Sequence, residues 1–184
     1  AAECRTMVAK IIAYERADDL SDTTWYLKGT TIVREDTPPD SFYQEDSRIV
    51  RNEWLAAGYV KAESLLSLAG HSSTEVNAAG AEGRAFMTYR GTGVNYWYPP
   101  FNGVLPATWR NHGRMPVVVS ATCATVTLAP YETMYGDMFV RAGNEDSLGG
   151  AVAFFGTTRA GSHISQYRSA VYRGFFAALF EEEC

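Results

Sequence analysis

The stretch that most constrains the fold is Met115-Pro-Val-Val-Val-Ser-Ala-Thr-Cys123. A short apolar run after a proline, passing into small residues, is the pattern of a strand buried on both faces. Such strands belong to parallel sheets, where ligands and chemistry gather at the carboxyl ends of the strands. Cys123 falls where this strand should stop. A thiol is a strong side-chain nucleophile, so Cys123 is the first candidate for a reactive group. The alternative is a buried cysteine serving as a small hydrophobe.

The rest of the chain alternates helical and extended patterns around that strand. Glu3–Arg16 carries Met7, Val8, Ile11 and Ile12 at helical spacing, which predicts an amphipathic helix. Thr24–Val33 is β-branched and aromatic and predicts a strand; Arg34–Gln44 predicts a loop. A second helix is expected over Glu45–Gly58, with Ile49, Val50, Trp54 and Leu55 inward and Gly58 as terminator. Tyr59–Leu68 reads as a strand, and Ser72-Ser-Thr-Glu75 as the start of a helix running to about Gly80. Arg84–Tyr89 reads as a strand stopped by Arg90-Gly-Thr-Gly93, followed by a long loop to Arg114. Beyond the cysteine, Tyr131–Ala142 is expected to be a helix with Met134, Met138 and Phe139 inward, and Gly150–Gly156 a buried strand. A last helix is expected over Gln166–Glu183, with Val171, Phe175, Ala178 and Leu179 inward. This alternation predicts an α/β fold, with a mostly parallel sheet between two helical layers. No linker or repeat divides the 184 residues, so one domain is expected.

Composition excludes some functions. The net charge of −5 leaves no basic footprint for nucleic acid. No apolar run is long enough for a membrane-spanning helix, and no signal peptide is visible. Cys4 and Cys184 lie near the two termini, which often approach one another in a domain. A Cys4–Cys184 disulfide with Cys123 left as a thiol is one expectation; three reduced thiols is the other.

Three predicted strand exits carry polar or flexible residues: Arg34-Glu-Asp36, Gly91-Thr-Gly93 and Ala121-Thr-Cys123. In a parallel sheet these share one edge. Glycines there expose backbone N–H groups that can hold an oxyanion. A thiol opposite them outlines acyl transfer.

Several of these segments resemble the gingipain-type cysteine peptidases, a branch of the caspase-like fold. Tyr89-Arg-Gly-Thr-Gly93 resembles that family's Tyr-x-Gly-His-Gly strand exit, and Val117-Val-Val-Ser-Ala-Thr-Cys123 its nucleophile strand. Gly149-Gly-Ala-Val-Ala-Phe-Phe-Gly-Thr-Thr-Arg159 is similar to the strand that follows; Tyr14-Glu-Arg16 and Asp46-Ser-Arg-Ile-Val-Arg51 match weaker helix motifs. The resemblance implies a three-layer sandwich and a cysteine endopeptidase with Cys123 as nucleophile. It implies an oxyanion hole from amides around Gly91 and Gly93 and at Cys123 itself. It places at Glu35 the glutamate that orients the histidine. Asp46 corresponds to the aspartate that selects basic side chains, a plain helix cap being the alternative. It puts His163 in a loop that contributes to the substrate pocket. It also implies a secreted or cell-surface protein acting on peptide or protein substrates. Some relatives bind calcium, for which Asp36, Asp40 and Asp137 are acids without ligand spacing; no metal or cofactor is otherwise expected.

Two departures set the expectations below. The family's catalytic histidine falls on Thr92, and threonine cannot take a proton from a thiol near neutrality. His112, just ahead of the nucleophile strand, is a substitute base to be tested; His71 and His163 are further loop histidines. The alternative to an active enzyme is therefore a catalytically inactive pseudoprotease, natural or engineered at Thr92, that binds peptides or protein partners. The family's first strand and last helix are also not recognisable here, so a segment of the same precursor is a candidate partner.

Overall fold

The computed structural model describes residues 2–17, 21–35, 41–126, 134–160 and 165–180. The helices are α1 (Ala2–Arg16), α2 (Ser41–Ala56), α3 (Ser73–Glu82), α4 (Tyr135–Arg141) and α5 (Ser165–Phe180). The strands are β1 (Lys28–Arg34), β2 (Lys61–Leu66), β3 (Phe86–Val94), β4 (Tyr96–Trp97), β5 (Val117–Cys123), β6 (Gly143–Asn144), β7 (Ser147–Leu148) and β8 (Ala153–Phe155). The main sheet has the order β2-β1-β3-β5-β8, all parallel, with β4 folded back antiparallel on β3. β5 therefore lies inside the sheet, as its apolar run predicts. Its register sets Met87 against Val118 and Tyr89 against Ser120 on one side, and Val118 against Phe154 on the other.

Alternate residues of β3 and β5 feed two cores. One face packs on α2 and α5 through Val50, Trp54, Val119, Ala121, Tyr172 and Phe176. The other packs under α3, α4 and the long connection after β4, through Met87, Tyr89, Trp97, Trp109, Val118 and Phe139. Helices on both faces of a parallel sheet make the three-layer α/β sandwich expected from the alternation. The start of α3 is also as expected. Ser72 caps it reciprocally: its Oγ accepts from Thr74 N at 3.2 Å, while Glu75 Oε2 accepts from Ser72 N at 2.8 Å.

Several local expectations are corrected. Thr24–Leu27 forms a 3₁₀ turn rather than the first half of a strand: Asp22 Oδ1 accepts from Thr24 N at 3.0 Å, and Tyr26 N donates back to Thr23 O at 3.1 Å. α2 begins at Ser41, inside the predicted loop. β3 does not stop at Tyr89; it runs on to Val94 with a register shift against β5 between Arg90 and Val94. Met138 lies on the outer side of α4, and residues 131–133 of that predicted helix lie outside the described residues.

The apolar stripes of two helices face away from the core. On α1 the buried residues are Thr6 and Lys10, while Val8, Ile11 and Ile12 are exposed. Lys10 turns inward because its Nζ donates to the carbonyls of Phe139, Val140 and Ala142, at 3.4, 2.9 and 3.2 Å. These carbonyls lie at the carboxyl end of α4, where the helix dipole favours a cation. On α5 the inward residues are Ser169, Tyr172 and Phe176; Val171, Ala178 and Leu179 are exposed and Phe175 is half-buried.

Candidate active site

The carboxyl edge of the sheet collects the ends of β1, β3 and β5. Cys123 closes β5 and is 2% exposed. Its backbone is pinned on both sides. Asn95 N donates to Cys123 O at 3.1 Å, and Thr122 Oγ1 donates to Gly93 O at 2.9 Å. On the other side Thr157 Oγ1 accepts from Ala124 N at 2.8 Å and donates to Thr122 O. The chain then leaves the strand through Ala124 at φ +57°, an uncommon conformation for a residue with a Cβ. The sulfur is thus fixed at the lip of the sheet, on the α2/α5 side. Arg168 Nη2, from α5, donates to Cys123 Sγ at 2.8 Å.

Gly91 and Gly93 stay near the thiol but do not form the expected turn. They belong to β3, and the chain reverses two residues later at Asn95, whose φ is +67°. A Cβ on Gly93 would lie 2.3 Å from Tyr96 O, and one on Gly91 would lie 2.8 Å from both Arg34 O and Arg34 Cβ. These glycines therefore permit a tight hairpin and close strand approach. The Asn95 amide is already committed to Cys123 O.

Thr92 lies between them, half-buried. Its Oγ1 accepts from Arg34 Nη1, and its carbonyl accepts from Tyr89 Oη at 2.6 Å. Arg34 pairs with Gly91 in register, which puts Glu35 beside Thr92 at the next position. Glu35 is 7% exposed, and its Oε2 accepts from Ser67 Oγ at 2.7 Å. Its Oε1 is buried without a hydrogen-bond partner among the described residues. A buried carboxylate oxygen left unpaired is costly, so this atom marks a position suited to a donor.

Asp46 differs from its expected place. It is buried, not set in an open pocket. Its Oδ2 accepts from Arg90 Nε at 2.7 Å and Ser169 Oγ at 2.6 Å, and Arg173 Nε stands 3.5 Å from Oδ1. Arg90 is itself fully buried. Its Nη2 donates to Ser165 O and Ser169 Oγ, both at 3.0 Å, and its guanidinium lies 4.2 Å from the centre of the Tyr43 ring. The carboxylate is buried and already paired with the chain's own Arg90 and Arg173. It is not a simple helix cap.

The histidines do not supply the missing base in the described residues. His112 lies beyond the amino end of β5, in a turn with φ +47°, beside Tyr14, Trp25 and Asp146. The seven residues of β5 separate it from the thiol by about 20 Å, at roughly 3.3 Å per residue. Its nearness in sequence is reversed by the direction of the strand. His71 is at the correct edge, but its Nδ1 sits 3.2 Å from Leu66 N, and β1 and β3 lie between β2 and β5. Three inter-strand steps amount to about 14 Å. His163 and Cys184 lie outside the described residues, as do Asp36 and Asp40; Cys4 is exposed on α1. Asp137 pairs with Arg141 Nη2 at 3.2 Å, and no cluster of metal-ligating side chains occurs among the described residues. No helix of those residues is long and apolar enough to cross a membrane.

The sequence reading missed Arg90, Arg168 and Thr157. A signal existed for the α5 residues: Ser165, Ser169, Tyr172 and Phe176 repeat at helical spacing, with Arg168 beside them. The more apolar stripe through Val171 hid it.

Known structures and sequences can now be set beside this geometry. A complex of the pro- and mature domains of Porphyromonas gingivalis RgpB superposes with a TM-score of 0.82 at 17% identity, covering 97% of this chain and 43% of that one. The Arg-specific cysteine proteinase gingipain R (RgpB) gives a TM-score of 0.83 at 17% identity, covering 97% and 42%. A further structure described as a protease gives 0.65 at 17% identity, over 87% and 35%. The chain thus spans less than half the length of the solved structures it matches. No curated protein matches it. The sequence profile of peptidase family C25 matches residues 1–184, so the chain belongs to that family of cysteine peptidases.

Proposed function

We propose that this chain is a peptidase-family domain that binds peptide but does not turn it over as the sequence stands. One observation carries the reading: the group set on the Cys123 sulfur is the Arg168 guanidinium, and the family's histidine position holds Thr92. In acyl transfer by a thiol, the sulfur bonds to the carbonyl carbon and its proton must pass through a base to the leaving amine. An arginine does not give up its proton in proteins, and a threonine does not accept one near neutrality. Loss of the base costs roughly 10²- to 10⁴-fold. A segment of the same precursor is the proposed partner, by likeness to the RgpB pro- and mature-domain complex, and a secreted or surface location goes with it.

A second reading, a cysteine endopeptidase acting through Cys123, is favoured by the buried Oε1 of Glu35, which has no hydrogen-bond partner among the described residues. One experiment separates the two. The chain is incubated at neutral pH with iodoacetamide and, separately, with a peptide acyloxymethyl ketone, and Cys123 modification is followed by mass spectrometry. We expect ketone labelling no faster than that of free cysteine and no peptide cleavage. Rapid, Cys123-dependent ketone labelling would overturn the non-catalytic reading. Thr92→His should then speed ketone labelling in a folded variant if the remaining site is intact.

A further inference from the structure

We infer that an apolar cavity beside Cys123 receives an uncharged aliphatic or aromatic side chain of a bound peptide. The inference rests on the peptide-binding part of the function proposed above and names the chemistry of the ligand. The cavity, about 150 Å³, lies between β5, the end of β8 and the first turns of α5. Val119, Ala121, Phe155, Tyr167, Val171 and Tyr172 form most of its wall, which is almost wholly apolar. A dry cavity of roughly this size takes a benzene-sized group.

Three observations connect it to the thiol and to a peptide. Ala121 and Cys123 are two apart on one strand, so both side chains point to the α5 side, about 7 Å apart. Arg168 both lines the cavity and donates to the Cys123 sulfur, so the cavity and the thiol share a wall. Around the mouth, Phe155, Tyr167 and Val171 are 42, 69 and 54% exposed, so apolar surface continues outward from the cavity. β8 ends the sheet on this side among the described residues. Its outer edge offers backbone N–H and C=O groups to an extended chain, which favours a peptide over a free hydrocarbon.

Charge selects the side chain. Among the described residues, Arg168 is the one cation on the wall and no carboxylate lines it, and Asp46 is committed to Arg90. A lysine or arginine side chain would enter apolar surroundings beside a like charge, without an acid to meet it. A leucine-like side chain has no charge to desolvate on entering.

The test uses the whole chain with ¹³C-labelled Ala and Val methyl groups. N-acetyl-leucinamide is titrated in and compared with N-acetyl-lysinamide at equal concentration. The leucine compound is expected to shift the methyl signals of Val119, Ala121 and Val171, and the lysine compound is not. Val171→Trp, at the mouth, should abolish the shifts of the Val119 and Ala121 methyl groups; Val60→Trp, on a remote exposed position, should leave them. Absent shifts with the leucine compound, equal shifts with both, or persistence in Val171→Trp would each overturn the inference. Cys123 labelling gives a separate readout. N-isobutyl iodoacetamide should label about tenfold faster than N-(4-aminobutyl) iodoacetamide, the discrimination an apolar pocket typically supplies. If the iodoacetamides label Cys123 without preference, the pocket assignment fails while the non-catalytic reading stands. If the methyl shifts occur and a peptide ketone labels rapidly, the non-catalytic reading fails and the pocket stands.

Discussion

Arg168 and Thr92 decide what the sulfur of Cys123 can do. A guanidinium 2.8 Å from Sγ blocks approach from the α5 side, and the residue is almost wholly buried. Breaking a hydrogen bond to a charged group costs roughly 1.5–3 kcal/mol, equivalent to about a 10- to 100-fold reduction in the open population. Arg168→Met should therefore raise the rate of iodoacetamide labelling at Cys123 by about that factor, read by mass spectrometry under native conditions. An unchanged rate would mean that something other than Arg168 limits access. The same variant should still cleave no peptide, because it supplies no base. The candidate nucleophile was legible in the sequence because a thiol after an apolar run is a local pattern. Arg168 was not, because it lies 45 residues away and its nearness depends on how α5 docks.

At the scale of elements, α1 shows how a helix can bury its polar side. Periodicity predicted Val8, Ile11 and Ile12 inward, yet the carbonyls at the end of α4 draw Lys10 under the helix instead. Burial lowers the Lys10 ammonium from the usual 10.5 to about 8. Between those values the unfolded chain holds more protons at this site than the folded one. Stability contributed through Lys10 therefore rises with pH from about 8 towards 10.5. Thermal unfolding followed from pH 7.5 to 10 should show a rising component that is absent in Lys10→Met, which also loses the three carbonyl contacts. A parallel pH dependence in both proteins would remove Lys10 as its source. β3 gives the complementary lesson. Its glycines suggested a turn, but a glycine serves equally where two backbones come close, and local sequence does not distinguish the uses.

Across the whole molecule, one ion pair ties three elements of the α2/α5 layer and the sheet together. Asp46 of α2, Arg90 of β3, and Ser169 and Arg173 of α5 converge around a carboxylate that is 2% exposed. Removing one member of such a pair leaves an uncompensated buried charge, at a cost of about 3–5 kcal/mol. Asp46→Ala should lower stability by that amount in urea unfolding, and Asp46→Leu combined with Arg90→Met should recover most of it. A double variant that loses the sum of what Asp46→Leu and Arg90→Met lose singly would show that the charges are not coupled. The sequence by itself determined the layered α/β plan, the place of β5 inside the sheet and the cysteine at its end. Those depend on short-range pattern: apolar runs, alternation of helix and strand, and turn residues. Tertiary structure alone decided that His112 stands at the wrong end of the sheet, that Asp46 is filled by Arg90, and that Arg168 covers the thiol. Each of those is a meeting of residues remote in sequence, set by strand direction and helix docking, which no local spacing records.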